Sequence, residues 1–484
     1  MNQPLFPAGR RSFLKASAAG AAGLMLSKIG ITDVYARTEA AGWVNGTQIN
    51  PNIDNLRVVY CTDAAMVTKT PTTWTTQTQN DCINTAQVQT NMDKMAMALA
   101  QKADAATAWS TIFMKPSAKA WNAVTVAIKV NAMNSWITPR IAIIDKVCKE
   151  LIKLQVQPGN IWIYDQGHVA DATDNTRCTD TYKTAYALAK LPAGMNIVGA
   201  LGTTAMVTVA GVSLPCAGKL ADGSIDILID LTVNKGHSYD YIGFVTLCMK
   251  NHTGSIKLKC PSDFNQFIAE NQCAPILGTQ SPGVPYRQQL CIIDSLFATK
   301  ADAGNIPPDC QPNSIVMGTM APAVDYLTIK NIREKMLGAT VNAAATGFRE
   351  NFLPAFGYST TERDNLLSKT PAQNNGKGWV NALTWAPTAI HANPNRAGTK
   401  IMELNINGQK QITLSLPQDE NILGMNIYNA QGKLIRKIDI KNVHSAYWDG
   451  CLKSGRSAPN GAYVFSVNGT AGVYSEKFTI AKLF

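Results

Sequence analysis

Between residues 124 and 165 the sequence places an amphipathic helix between two short apolar strands, and that order dictates a parallel sheet. Val124-Thr125-Val126-Ala127-Ile128-Lys129-Val130 is a β-branched run of strand type. Ile141, Ile144, Val147, Cys148, Leu151 and Ile152 then recur at helical spacing, and Asn160-Ile161-Trp162-Ile163-Tyr164-Asp165 returns to strand. Parallel neighbours need a crossover, so strand, helix and strand within this span make a βαβ unit.

The alternation extends both ways. Arg57-Val58-Val59-Tyr60 reads as a strand, and residues 84–113 contain two helical stretches. Asp226–Leu231, Leu290–Asp294 and Ser314–Gly318 read as strands, with helices near 241–250 and over Pro322–Leu337. The expected fold is α/β, a mostly parallel sheet covered by helices, with its core at about 56–340. Residues 340–398 lose periodicity and read as a capping segment and linker that complete a domain over 37–398. From 399 to 484 short strands alternate with turns every 8–15 residues, which indicates a small all-β sandwich.

The first 36 residues read as an address. Gly9-Arg10-Arg11-Ser12-Phe13-Leu14-Lys15 is a twin-arginine signal, followed by a weak Ala/Gly stretch and the small-residue cleavage site Val34-Tyr35-Ala36. The expected location is therefore the periplasm or the cell surface, with the twin-arginine translocase as partner. No apolar run reaches the roughly 18 residues of a spanning helix, so no transmembrane segment is expected in the mature chain. The net charge is +11, but no block of five like charges occurs, which argues against a nucleic-acid partner. The 11 cysteines include no C-x-x-C pair, so no cluster or zinc ribbon has its usual spacing. Several lie in apolar runs and read as small buried hydrophobes.

Two resemblances follow. Ile427–Ile435, Trp448-Asp449-Gly450, Ser454-Gly455-Arg456 and Pro459-Asn460-Gly461-Ala462-Tyr463 resemble the flagellar hook-cap type of immunoglobulin-like domain. They are also similar to the C-terminal sorting tails of type IX secretion, which implies an outer-membrane secretion machinery as a second partner. The Trp and the turns read as structural, Trp448 filling the core. Ala127–Asn131, Ile161–Asp165, Asn234-Lys235-Gly236-His237 with Gly243–Ile256, Ile292–Phe297 and Pro322–Asp325 resemble the domain-of-unknown-function-362 family. Some relatives carry ferredoxin modules, whose cysteines this chain lacks.

In open α/β sheets, ligands bind at the carboxyl ends of strands. Lys235, His237 and Asp294 are the catalytic candidates there, with His237 as general acid or base. Lys129, Asn131, Asp165, Lys250, Asn251, His252 and Asp325 are the ligand-binding candidates, a set suited to a phosphate or carboxylate. His168, His237 and His252 have no local metal-ligand spacing, and no metal or particular cofactor is assigned. Dinucleotide-binding, phosphate-loop and G-x-S-x-G patterns are absent. The expected function is a ligand- or cofactor-binding, enzyme-like domain, with an oxidoreductase or a lyase or isomerase as the candidate reaction classes. The alternative is a non-catalytic surface binding or structural protein.

Overall fold

The computed structural model describes residues 47–166, 176–237, 245–256, 264–279, 281–300, 306–339, 350–368 and 378–381. In the C-terminal part it describes 400–406, 409–415, 422–429, 434–438, 445–448, 451–452, 458–459, 461–469 and 472–480. Outside the described residues lie the expected twin-arginine segment, His168, residues 241–244 of the expected helix, Cys260 and Ser454-Gly455-Arg456.

The strands in chain order begin with β1 (Arg57–Thr62), β2 (Val126–Val130), β3 (Ile161–Tyr164) and β4 (Asn196–Val198). A separate hairpin, β5 (Ala205–Val209) and β6 (Val212–Cys216), precedes β7 (Ile227–Val233). A two-residue pair, β8 (Lys235–Gly236) and β9 (Val245–Thr246), follows. Then come β10 (Gln288–Ser295), β11 (Ser314–Gly318) and β12 (Gly378–Asn381). The main sheet runs in the spatial order β12-β1-β11-β10-β7-β2-β3-β4. Every neighbouring pair in it is parallel except the two that β11 makes, so the mostly parallel α/β expectation holds.

Strands buried on both faces read as continuous apolar runs, and β2, β7, β10 and β11 are buried at every residue. Their side chains alternate between two cores. Val126, Ile128 and Val130 enter the core formed with helices Thr85–Ala100, Ala105–Ile112, Ile141–Lys153 and Arg177–Tyr182. Ala127, Leu228, Cys291 and Ile293 enter the opposite core, under helices Cys248–Asn251, Phe264–Asn271, Ala321–Leu327 and Phe352–Ala355.

The segment expected only to cap the domain is built into it. Phe352, Leu353, Phe356 and Tyr358 are buried in the second core, and β12 pairs in parallel with β1. Its apolar residues are bunched within one short helix containing Pro354, so no 3.6-residue period shows in the sequence. Among the described residues ten cysteines are free thiols, eight of them buried, in keeping with their apolar sequence context.

The C-terminal strands are β13 (Lys400–Ile406), β14 (Gln409–Ser415), β15 (Ile422–Asn429), β16 (Leu434–Ile438), β17 (Ser445–Trp448), β18 (Gly461–Gly469) and β19 (Gly472–Ile480). They form two antiparallel sheets, β13-β14-β17 and β16-β15-β18-β19. Trp448 of the first packs on Tyr463 and Phe465 of the second, with ring centroids 5.4 and 6.2 Å apart. Its Nε1 donates to the Cys451 carbonyl at 2.8 Å, so the buried indole has no unmet donor. Trp448→Ala should cost about 3–5 kcal/mol, enough to unfold so small a unit. Limited proteolysis checks this: the variant should lose its C-terminal unit quickly while the α/β domain persists. Equal resistance of variant and parent would contradict the assignment of Trp448 as the core anchor.

Candidate functional site

Strands β10, β7, β2 and β3 are parallel neighbours, so their carboxyl ends share one edge of the sheet. Asn131, Asp165, Lys235 and Asp294 stand there, as their strand-end positions predict. Lys235 and Asn131 meet: the lysine Nζ donates to Asn131 Oδ1 at 2.5 Å, with both residues buried. Burial is the main force on this amine and lowers its pKa to about 7. Lys250, Lys129 and Arg177 push the same way, and Asp165 partly opposes them. An ordinary lysine is an inert cation at neutral pH, whereas this one is divided between amine and ammonium and is suited to proton transfer or nucleophilic attack. His237 lies two residues further on, half-buried.

Asp294 faces elsewhere. Its Oδ2 accepts the Arg140 backbone N–H at 2.7 Å and its Oδ1 the Leu296 N–H at 3.0 Å. Burial raises its pKa, and Arg140 is the largest opposing influence. The Arg140 guanidinium is fully buried, donates to Gln79 Oε1 at 2.7 Å and lies 5.1 Å over the Phe297 ring. Its Nε and Nη2 have no hydrogen-bond partner among the described residues. Sequence reasoning missed this arginine, which sits in the loop after β2 with no motif around it. Asn234, singled out in the sequence only as part of the Asn-Lys-Gly-His motif, donates through Nδ2 to Ser295 Oγ and accepts at Oδ1 from Arg333.

The other ligand-binding candidates gather on the sheet face behind this edge. Tyr164, Lys129, Asp230 and Cys291 stand in register across β3, β2, β7 and β10. Lys129 Nζ donates to the Val130 carbonyl at 2.7 Å, Asp165 Oδ1 at 2.8 Å and Asn251 Oδ1 at 3.0 Å, which uses all three of its protons. Asp165 Oδ2 accepts the Ala132 N–H at 2.5 Å. Asn251 Nδ2 reaches Asp230 Oδ1 at 2.6 Å. His252 Nε2 lies 2.5 Å from Gln288 Oε1, an acceptor that fixes the proton on Nε2. Burial lowers the His252 pKa to about 3, against a raising influence of Gln288, so the ring is neutral. Ser255 Oγ bonds the Tyr164 hydroxyl at 2.7 Å.

Gly254 permits this assembly: a Cβ there would lie 2.7 Å from Lys129 Cε and 2.8 Å from Asp165 Oδ1. Asn251, His252 and Ser255 thus tie one turn of chain to β2, β3, β7 and β10 through buried polar contacts. Asp325 anchors the start of the same turn, accepting the Cys248 and Met249 N–H groups at 2.9 Å each. Burial raises its pKa to about 7 despite those bonds. It lines a small cleft with Lys250, Leu247, Phe267 and Phe352. Lys250 is half-buried, its Nζ 3.3 Å from Thr253 Oγ1. No helix among the described residues is long and apolar enough to cross a membrane.

Likeness to solved structures is low. A chain of PorZ, a bacterial surface component of the type-IX secretion system of Porphyromonas gingivalis, is 13% identical with a TM-score of 0.16. The alignment covers 19% of this chain and 13% of that one, so the chain spans a small part of PorZ. Superoxide reductase from Nanoarchaeum equitans is 11% identical over 19% of this chain and 99% of its own, with a TM-score of 0.15. An engineered protein aligns over 78% of this chain and 80% of its own at 11% identity and a TM-score of 0.14. No curated protein matches the sequence. Residues 400–472 match the FlgD Ig-like domain, and residues 126–330, from Lys129 through Asp325, match the domain of unknown function DUF362.

Proposed function

We propose that the α/β domain is an enzyme-like domain that binds an anionic small molecule at the carboxyl edge of its sheet, with Lys235 as the residue that exchanges a proton with it. The observation that carries this is the buried Lys235 amine, held by Asn131 and titrating near pH 7 among Lys250, Lys129 and Arg177. A phosphate or carboxylate entering that field is attracted by the cations and favours the ammonium form of Lys235. His237 is the second candidate for proton transfer. Where the anion belongs to a redox cofactor, the same amine is the proton donor or acceptor beside it, which is the oxidoreductase form of the proposal. The twin-arginine segment and the immunoglobulin-like domain support an exported protein, carried by the twin-arginine translocase and displayed in the periplasm or at the cell surface. The outer-membrane secretion machinery is the proposed partner of the C-terminal domain.

Sulfate tests the anion site, because its charge is constant across neutral pH. Calorimetric titration of the mature chain should show binding at pH 6 that weakens toward about tenfold per pH unit above 7, as Lys235 loses its proton. Lys235→Met should bind more weakly at pH 6 and show no such dependence. Absence of sulfate binding, or an identical pH profile in the variant, would sink the proposal.

A further inference from the structure

Behind the edge, on the sheet face, one group of side chains has the composition of a metal centre. Asp230, Cys248 and Cys291 are all fully buried, and one ligand atom from each lies within 4.8 Å of the others. The parallel register of β7 and β10 sets Asp230 directly beside Cys291. Cys248 opens the turn packed over them, and Asp325 holds that turn through the Cys248 N–H. A second observation bears on what the group is for. Asp230 Oδ1 is taken by Asn251, but Oδ2 makes no hydrogen bond of ordinary geometry although it is buried. The other polar neighbours of this carboxyl group are the Cys248 thiol and His252 Nε2, 3.4 Å from Oδ2, both weak donors, and a cation between it and the two sulfurs would satisfy it better.

We propose that Asp230, Cys248 and Cys291 bind a thiolate-preferring divalent cation of the zinc class. A tetrahedral ion with metal–sulfur bonds of about 2.3 Å holds its ligands roughly 3.5–3.8 Å apart, within reach of the observed separations. Asn251 on Oδ1 orients the carboxylate as outer-shell partners of metal ligands do. Three anionic ligands leave a divalent complex with one negative charge, toward which the Lys129 ammonium on the adjacent strand, already paired with Asp165, adds a favourable field. His252 Nε2 lies 3.4 Å from Asp230 Oδ2 but holds its proton toward Gln288, so it is a neighbour of the carboxylate and not a ligand. Two buried thiols alone would be apolar filling; the carboxyl group between them makes the difference.

Because the group is enclosed, the ion must enter as the chain folds, so the test loads it then. The full chain is produced under reducing conditions in zinc-depleted, cobalt-supplemented medium and read for bound cobalt and for thiolate-to-cobalt absorption. The expected result is one cobalt per chain with a strong charge-transfer band, lost in Cys248→Ala and Cys291→Ala. Cys82→Ala, which removes a buried thiol from the opposite core, should keep the band. Because a variant that fails to fold would also lose the band, X-ray absorption at the cobalt edge of the unaltered protein supplies a second readout, with two sulfur neighbours expected. Folded, reduced protein without cobalt, cobalt without sulfur ligands, or a band that survives in both variants would each overturn the proposal.

Discussion

Lys129→Met is expected to destabilise the α/β domain by about 3–5 kcal/mol, a large share of a typical domain's stability. The ammonium is 1% exposed and supplies a proton each to Asp165, Asn251 and the Val130 carbonyl. Methionine fills a similar volume but leaves the Asp165 carboxylate buried without its cation and two other acceptors without a donor. The loss is therefore electrostatic rather than steric, and a second substitution should reverse most of it. Adding Asp165→Asn removes the stranded charge while keeping an oxygen for the Ala132 N–H. Denaturant titration of the parent, the single variant and the pair decides: a pair no more stable than Lys129→Met alone would contradict this account.

Gly254→Ala should cost about 2–3 kcal/mol through the same network. A single added carbon would sit 2.7 Å from Lys129 Cε, 2.8 Å from Asp165 Oδ1 and 2.9 Å from Lys129 Nζ. Long lysine side chains usually yield to such a contact, but three acceptors pin this one, so relief requires breaking the ion pair or lifting the turn. Gly159→Ala is the control: its nearest contact would be a carbonyl oxygen at 4.0 Å, and about 0.5 kcal/mol or less is expected. Equal thermal shifts in the two variants would show that Gly254 is not a site of enforced close approach.

The parts of this molecule that were readable from sequence are those where burial imposes a simple pattern. β2, β7, β10 and β11 have apolar centres because both faces are covered, and the helix Ile141–Lys153 carries its apolar residues at helical spacing. Short or edge elements escaped. β4 has three residues, and β5 and β12 lie where Pro, Gly and polar residues mask alternation. At the site, strand ends flagged Lys235, Asn131 and Asp165, because position along a strand is a local property. Their partners are not local. Lys129 reaches Asn251 across 122 positions and Asp294 holds Arg140 across 154, distances that no spacing rule spans. Asp230 and Cys291 lie inside the strands read over Asp226–Leu231 and Leu290–Asp294, where they look like an interruption and a small hydrophobe, and Gln288 precedes the second of these runs.

The central claim is that Lys235 is a neutral amine for much of the time at physiological pH. The most direct measurement is a pH titration of its ε-carbon resonance in protein labelled with carbon-13 at the lysine ε position, assigned by its disappearance in Lys235→Met. The account predicts a midpoint at about 7, well below the ordinary 10.5, and an upward shift when sulfate is added. A midpoint near 10.5 with no response to sulfate would contradict it.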